Sequence, residues 1–378
     1  MRSYTVARVW GIPIRINVSL IVFLPILAYL IGSGQQIELY AGVIGDLTGR
    51  GFDLGALRDG TTPWVIGIVA AVGLFVSVTL HELGHSWVAL RYDLEIESIT
   101  LWILGGLAAL SEIPREWNRE FWIAIAGPIT SVLVGGVCYA GLLVVPADLD
   151  VVRFVAGWLA IVNVTLAVFN LLPAFPMDGG RILRALLARS RPYASATRIA
   201  GRIGVVFAVL FAVVGVLNFN PILLLLAWFI YGAATTESRA VLLDELLEGI
   251  TVGDIMTPNP RTIEADTTLG AFADRMIRER QTVYPVTDGG EVVGAVSLAD
   301  LKGARNADRD ETTIRSVMRE VPRLDIDADA FDALAAYSGR EGMLALVTEN
   351  GAVAGVLSDS DYSHALTIQR GFQSRLPV

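Results

Sequence analysis

The sequence predicts a polytopic α-helical membrane protein of about six transmembrane helices, followed by a soluble α/β tail built from two repeats. Three observations carry this. The 378 residues are 53% hydrophobic with a mean hydropathy of +0.56, too apolar for a soluble chain of this length. Apolar runs of near-spanning length recur between residues 18 and 231 and stop before Arg239. Beyond that point short alternating strands and helices take over, and they repeat.

The elements follow in order. Arg2, Arg8 and Arg15 precede the first run, Val18 to Ile31, which reads as a retained anchor because no small-residue cleavage site follows it. Gln35 to Thr62 is polar, glycine-rich and acidic, and reads as a connection. The second run, Trp64 to about Leu90, is long enough to span. Ile99 to Leu110, with Gly105-Gly106, is too short to span and fits a re-entrant hairpin or loop packed against protein. Further runs cover Phe121 to Val145, Phe154 to Leu172, Val205 to Leu217 and Ile222 to Tyr231, the last two separated by a turn at Asn218 to Pro221.

Loop arginines set the orientation. The N-terminus, Arg91 to Arg119, Arg181 to Arg202 and Arg239 fall on one side, and mostly acidic connections on the other. The positive-inside rule then makes both termini cytoplasmic in a multi-pass cell-membrane protein.

The net charge is −9, yet residues 1–239 are close to neutral, so the excess acid lies in the tail. That argues against a nucleic-acid surface. Lys302 is the only lysine, and an acidic, lysine-poor soluble surface suits a prokaryotic source. The single cysteine, Cys138, excludes an internal disulfide and reads as a small packed residue of an apolar run.

Two of the three histidines stand in His81-Glu82-Leu-Gly-His85, at the end of the second run. Residues i and i+4 of a helix lie about 40° apart around its axis, so both imidazoles share a face able to grip one zinc ion. Glu82 sits beside that face, where it can deprotonate water. In a soluble helix so short a motif is weak evidence. Inside a membrane helix three ionisable groups are costly unless coordinated or paired, and that marks a functional site.

Catalytic zinc usually takes a third protein ligand. Asn170-Leu-Leu-Pro173-Ala-Phe-Pro-Met-Asp178-Gly-Gly180 offers one at the same membrane depth, since its prolines and glycines interrupt a regular helix. On chemistry alone Asp178 fits two roles equally, a ligand turned inward or an N-cap of the Arg181 segment.

The paired motifs resemble the site-2 protease family of intramembrane zinc metalloproteases, over roughly residues 1–236. Gly105-Gly106, Ala126-Gly127-Pro128 and the opening Gly11-Ile-Pro-Ile-Arg-Ile stand where that family has its glycine-bearing hairpin, its third core helix and its N-terminus. The resemblance implies that His81, His85 and Asp178 bind one Zn2+ and that Glu82 is the catalytic acid/base. Asn170, Gly105 and Gly106 would support the site. The family often has an asparagine just after Gly-Pro; here Thr130 and Ser131 stand there.

In the tail, Ile255-Met256 and Pro260-Arg261 match Val317-Met318 and Pro322-Arg323, and Gly294, Ser297 and Asp300 match Gly355, Ser358 and Asp361. The period is about 61–62 residues. After a linker over 237–250, residues 251–366 resemble a tandem pair of CBS domains, about 252–303 and 314–364. Such pairs often bind adenine nucleotides, which implies ATP or AMP at Ser297, Asp300, Ser358 and Asp361; a purely structural, dimer-forming module is the other role they allow.

Together these features imply a protease that hydrolyses a peptide bond in a membrane-spanning protein substrate within the lipid bilayer, modulated by its tail. The Ile99–Leu110 segment would pair with the unwound substrate as an added strand. A nucleotide-gated transporter or channel would account for the tail and the buried charges, but not for their arrangement as His-Glu-x-x-His plus Asp.

Overall fold

The computed structural model describes residues 3–103, 105–110, 115–279, 281–304, 308–337 and 343–373. The chain divides into two compact units, Met1–Arg239 and Ala240–Val378.

The first unit opens with strands β1 (Ser3–Val9) and β2 (Ile12–Asn17), folded back on each other at Trp10-Gly11, both with positive φ. Helices α1 (Val18–Ile31), α2 (Gly34–Thr48), α3 (Leu54–Arg58) and α4 (Thr62–Leu90) follow. Then come β3 (Ile96–Trp102) and β4 (Gly105–Leu110), and helices α5 (Trp117–Val144), α6 (Asp150–Asn170), α7 (Asp178–Ala188), α8 (Tyr193–Leu217) and α9 (Pro221–Leu247). The strands form one sheet in the order β1-β2-β3-β4, with β2 and β3 parallel, so β4 is an edge. The apolar Ile99–Leu110 segment is therefore most of a hairpin, and the N-terminal arginine segment is its sheet partner.

Among the described residues five helices are long and apolar enough to cross a membrane, or six if α1 and α2, bent by 66°, make one span. The sequence expectation of a span over Val18 to Ile31 needs this correction, since α1 has 14 residues against the roughly 20 that a full crossing takes. It lies antiparallel along α4: Leu20 packs with Val78 at one end. At the other end, side chains at Gly67 and Gly32 would strike the backbone of Ala28 and Pro63.

The connection over Gln35 to Thr62 is also largely helical, as α2 and α3. Ile37, Ala41 and Ile44 recur at helical spacing, and their buried stripe joins Leu57, Phe154 and Trp158 in the main apolar core. Leu39, Val43 and Leu47 on the exposed side are apolar too and blur that stripe in the sequence.

The second unit contains α10 (Val252–Ile255), β5 (Thr257–Pro258), β6 (Ile263–Glu264), α11 (Leu269–Glu279), β7 (Val283–Asp288), β8 (Glu291–Ser297) and α12 (Leu298–Gly303). Its second half has β9 (Arg323–Asp325), α13 (Ala330–Tyr337), β10 (Leu344–Glu349), β11 (Ala352–Ser358) and α14 (Asp359–Gln373). Each half packs a small core of its own, around Phe272 and Tyr284 in one and Val347 and Leu357 in the other. The halves exchange their entering segments: β5 pairs with β11, and Arg319 bridges to Ala295 of β8. Helix α9 runs unbroken to Leu247, through most of the stretch where the sequence predicts a linker.

Candidate metal centre

Helix α4 carries His81, Glu82 and His85 in its last three turns, with His81 only 4% exposed. Their partner arrives from a break in the helices. After α6 ends at Asn170, turns hold the chain through Ala174 N–H to Leu172 O at 2.7 Å and Met177 N–H to Ala174 O at 2.9 Å. Gly179 and Gly180 let this turn fold onto the start of α7, where a side chain would strike the carbonyls of Leu171 and Leu172 or the Ala174–Phe175 backbone. Asp178 is the first residue of α7 and Met177 its N-cap, so the N-cap alternative for Asp178 does not hold. Its carboxylate turns toward the histidines instead.

The three donor atoms form a nearly equilateral triangle. Asp178 Oδ2 lies 3.1 Å from His81 Nε2 and 3.2 Å from His85 Nε2, and the two Nε2 atoms are 3.2 Å apart. Ligands about 2.0–2.1 Å from a tetrahedral zinc ion stand about 3.3–3.4 Å from one another, so these residues fit that metal. Hydrogen bonding supports the fit. His85 Nδ1 donates to the carbonyl of Ile123 at 2.7 Å, so in the neutral ring the Nε2 lone pair faces a carboxylate and a second imidazole nitrogen. Such a cluster of electron pairs calls for a cation.

Helix α5 closes the other side. A side chain at Gly127 would strike Nε2 of both histidines. Four residues on, Ser131 Oγ lies 2.8 Å from His81 Nδ1. The sequence motifs assign Ser131 no role; its signal is the four-residue spacing from Gly127, which puts both on one helix face.

The centre borders a cavity of about 350 Å3 lined by Glu82, Trp102, Gly105, Gly106, Asn170, Arg181 and, from α9, Phe229 and Ile230. Glu82 lies against β4: a side chain at Gly106 would meet its Cγ, Cδ and Oε1. Gly105 turns with φ +134, which a residue with a side chain rarely adopts. Asn163 of α6 is fully buried and donates to Ser77 Oγ of α4 at 3.0 Å. Two imidazoles and one carboxylate, with a glutamate beside them and space in front, make a donor set of the open kind that suits catalytic zinc.

In the tail, Ser297 and Asp300 form one capped helix start, and Ser358 and Asp361 another. Each aspartate accepts the serine N–H at 2.8 Å and hydroxyl at 2.6 Å. Their remaining oxygens differ. Asp300 Oδ1 pairs with Arg319 Nε at 2.7 Å, whereas Asp361 Oδ1 accepts from Thr257 Oγ1 at 2.8 Å. Outside the membrane, Asp288 is held below the usual carboxylate range by its hydrogen bond from Arg315, then by that residue's charge.

The model of peptidase family M50 matches residues 69–148 and 147–211, and that of the CBS domain residues 252–306. A zinc metalloprotease of Methanocaldococcus jannaschii is 33% identical over 97% of this chain and 96% of its own length. Rip3 of Mycobacterium tuberculosis is 34% identical over 81% of this chain and 82% of its own. The solved site-2 protease from M. jannaschii is 34% identical, covering 63% of this chain and 96% of its own with a TM-score of 0.43. The chain belongs to peptidase family M50, the intramembrane zinc metalloproteases of site-2 protease type, and carries a CBS region at its C-terminal end.

Proposed function

We propose that His81, His85 and Asp178 hold one zinc ion and that the chain uses it, with Glu82, to hydrolyse a peptide bond in a membrane-spanning protein. The triangle of donor atoms, 3.1 to 3.2 Å on each side and set within apolar helices, carries this reading. Zinc held by these residues would supply Lewis-acid polarisation and make a water more acidic. Glu82 takes the proton of the attacking water and returns it to the leaving amine. The edge of β4, beside Glu82, supplies backbone groups to a substrate segment unwound from its helix, as one more strand.

The same reading gives the tail an adenine nucleotide, ATP or AMP, bound through Ser297, Asp300, Ser358 and Asp361, and a homodimer formed through its repeats. Both termini are cytoplasmic. A bound nucleotide alters cleavage through different affinities for two arrangements of the tail.

The test is co-expression with single-span membrane proteins, comparing wild type with Glu82→Gln. Wild type should cleave a substrate while Glu82→Gln keeps zinc and leaves it intact. Alanine at His81, His85 or Asp178 should lower zinc content. Full zinc and full activity in Asp178→Ala would remove the third ligand from the assignment.

A further inference from the structure

Arg184 stands six positions after Asp178 on α7 and is 1% exposed. Two other helices meet its charge. Nε donates to Glu120 Oε1 in the first turn of α5 at 2.7 Å, and Nη1 donates to Glu237 Oε1 on α9 at 2.6 Å. The guanidinium carbon is 5.0 Å from the ring centroid of Phe175 and 4.9 Å from that of Tyr193.

Burying two opposite charges together brings a desolvation cost that their attraction roughly offsets, so an apolar contact would hold these helices equally well. What a guanidinium adds is direction: a planar fork with fixed donor angles and a face for an aromatic ring. Phe175, 1% exposed, belongs to the turn that delivers Asp178. Helix α7 carries the carboxylate itself, and α5 carries Gly127 and Ser131 against the histidines. Arg184 thus touches the turn, the helix and the neighbouring helix whose relative placement sets the donor triangle.

We propose that Arg184 is a positioning residue that sets Asp178 at its distance from His81 and His85, through Glu120 and the ring of Phe175. The proposal rests on the reading of those three residues as a zinc site. Nothing in it requires Arg184 to touch substrate.

The full chain in detergent provides the test, with Arg184→Lys and the apolar double variant Glu120→Leu with Arg184→Met. The lysine keeps a buried positive charge without the fork; the double variant removes the buried Arg184–Glu120 pair at similar volume and leaves Glu237, whose side chain is 30% exposed, to water. Zinc transfer to a chromogenic chelator should be about tenfold faster in both. Cleavage should show a lower kcat at an unchanged KM, with an unfolding temperature close to wild type in at least one variant. Wild-type zinc retention in a folded variant overturns the proposal. Failure of both variants to fold overturns it as well, since Arg184 would then serve structure alone. A wild-type chain that binds no zinc at this centre defeats the underlying reading, a result that the variants do not mimic.

Discussion

Ser131 Oγ on α5 lies 2.8 Å from Nδ1 of His81 on α4, and Ser131 is 0% exposed. A hydrogen bond at one ring nitrogen of a histidine fixes the ring and the tautomer, and so the direction of the lone pair at the other. His85 has a main-chain carbonyl for this purpose; His81 has only a hydroxyl across the helix boundary. Ser131→Ala should therefore weaken zinc binding about 10–100-fold while the helices stay packed. Competition with a chelator of known affinity reads this directly. An unchanged affinity would make Ser131 a packing residue.

Gly106 leaves room for Glu82, since an added Cβ meets the carboxylate itself. Gly106→Ala should displace Glu82 without touching the donor triangle. A displacement of about 1 Å in a reacting group costs on the order of 100-fold in rate. The expected result is normal zinc content with activity lowered by about that factor. Loss of zinc in Gly106→Ala would show that β4 supports the metal as well.

His81, Glu82, His85 and Asp178 are legible in the sequence because ionisable groups are conspicuous in apolar runs and the histidine spacing is helical. Ser131 is not, because its spacing from Gly127 marks a shared helix face without naming its partner, which lies 50 residues away. Helix α2 hides for a related reason: its stripe of Ile37, Ala41 and Ile44 is narrow, and apolar Leu39, Val43 and Leu47 on the exposed side blur its period. The pairing of β2 with β3 links residues separated by all of α1 to α4, and no local pattern encodes so distant a partner. Arg184 looks like any loop arginine until Glu120 and Glu237 are brought to it.

The arrangement of α1 along α4 bears on topology. Whether or not α1 and α2 count as one span, Gly32 reaches the start of α4 and places α2 at the end of α4 opposite to His85. A reporter near Gly45 should therefore be accessible from outside the cell, and reporters at residues 1 and 378 from the cytoplasm. An outside signal from residue 378 would break the alternation of α8 and α9.

The two serine–aspartate pairs of the tail predict unequal nucleotide binding. The repeat period pairs Thr257 with Arg319, so the same position presents a neutral hydroxyl to Asp361 and a guanidinium to Asp300. A ribose diol displaces the threonine hydroxyl by putting one hydroxyl donor in place of another on the same carboxylate. At Asp300 it must separate the carboxylate from a guanidinium, which brings a full opposite charge and a directed fork that a hydroxyl lacks. Asp361→Ala should therefore abolish most adenine-nucleotide binding to the full chain, and Asp300→Ala should leave most of it, with calorimetry as the measurement. Arg319→Thr should open the second position and raise the stoichiometry. Equal losses in the two aspartate variants would mean that the nucleotide displaces Arg319 readily, its guanidinium then meeting a phosphate instead of Asp300.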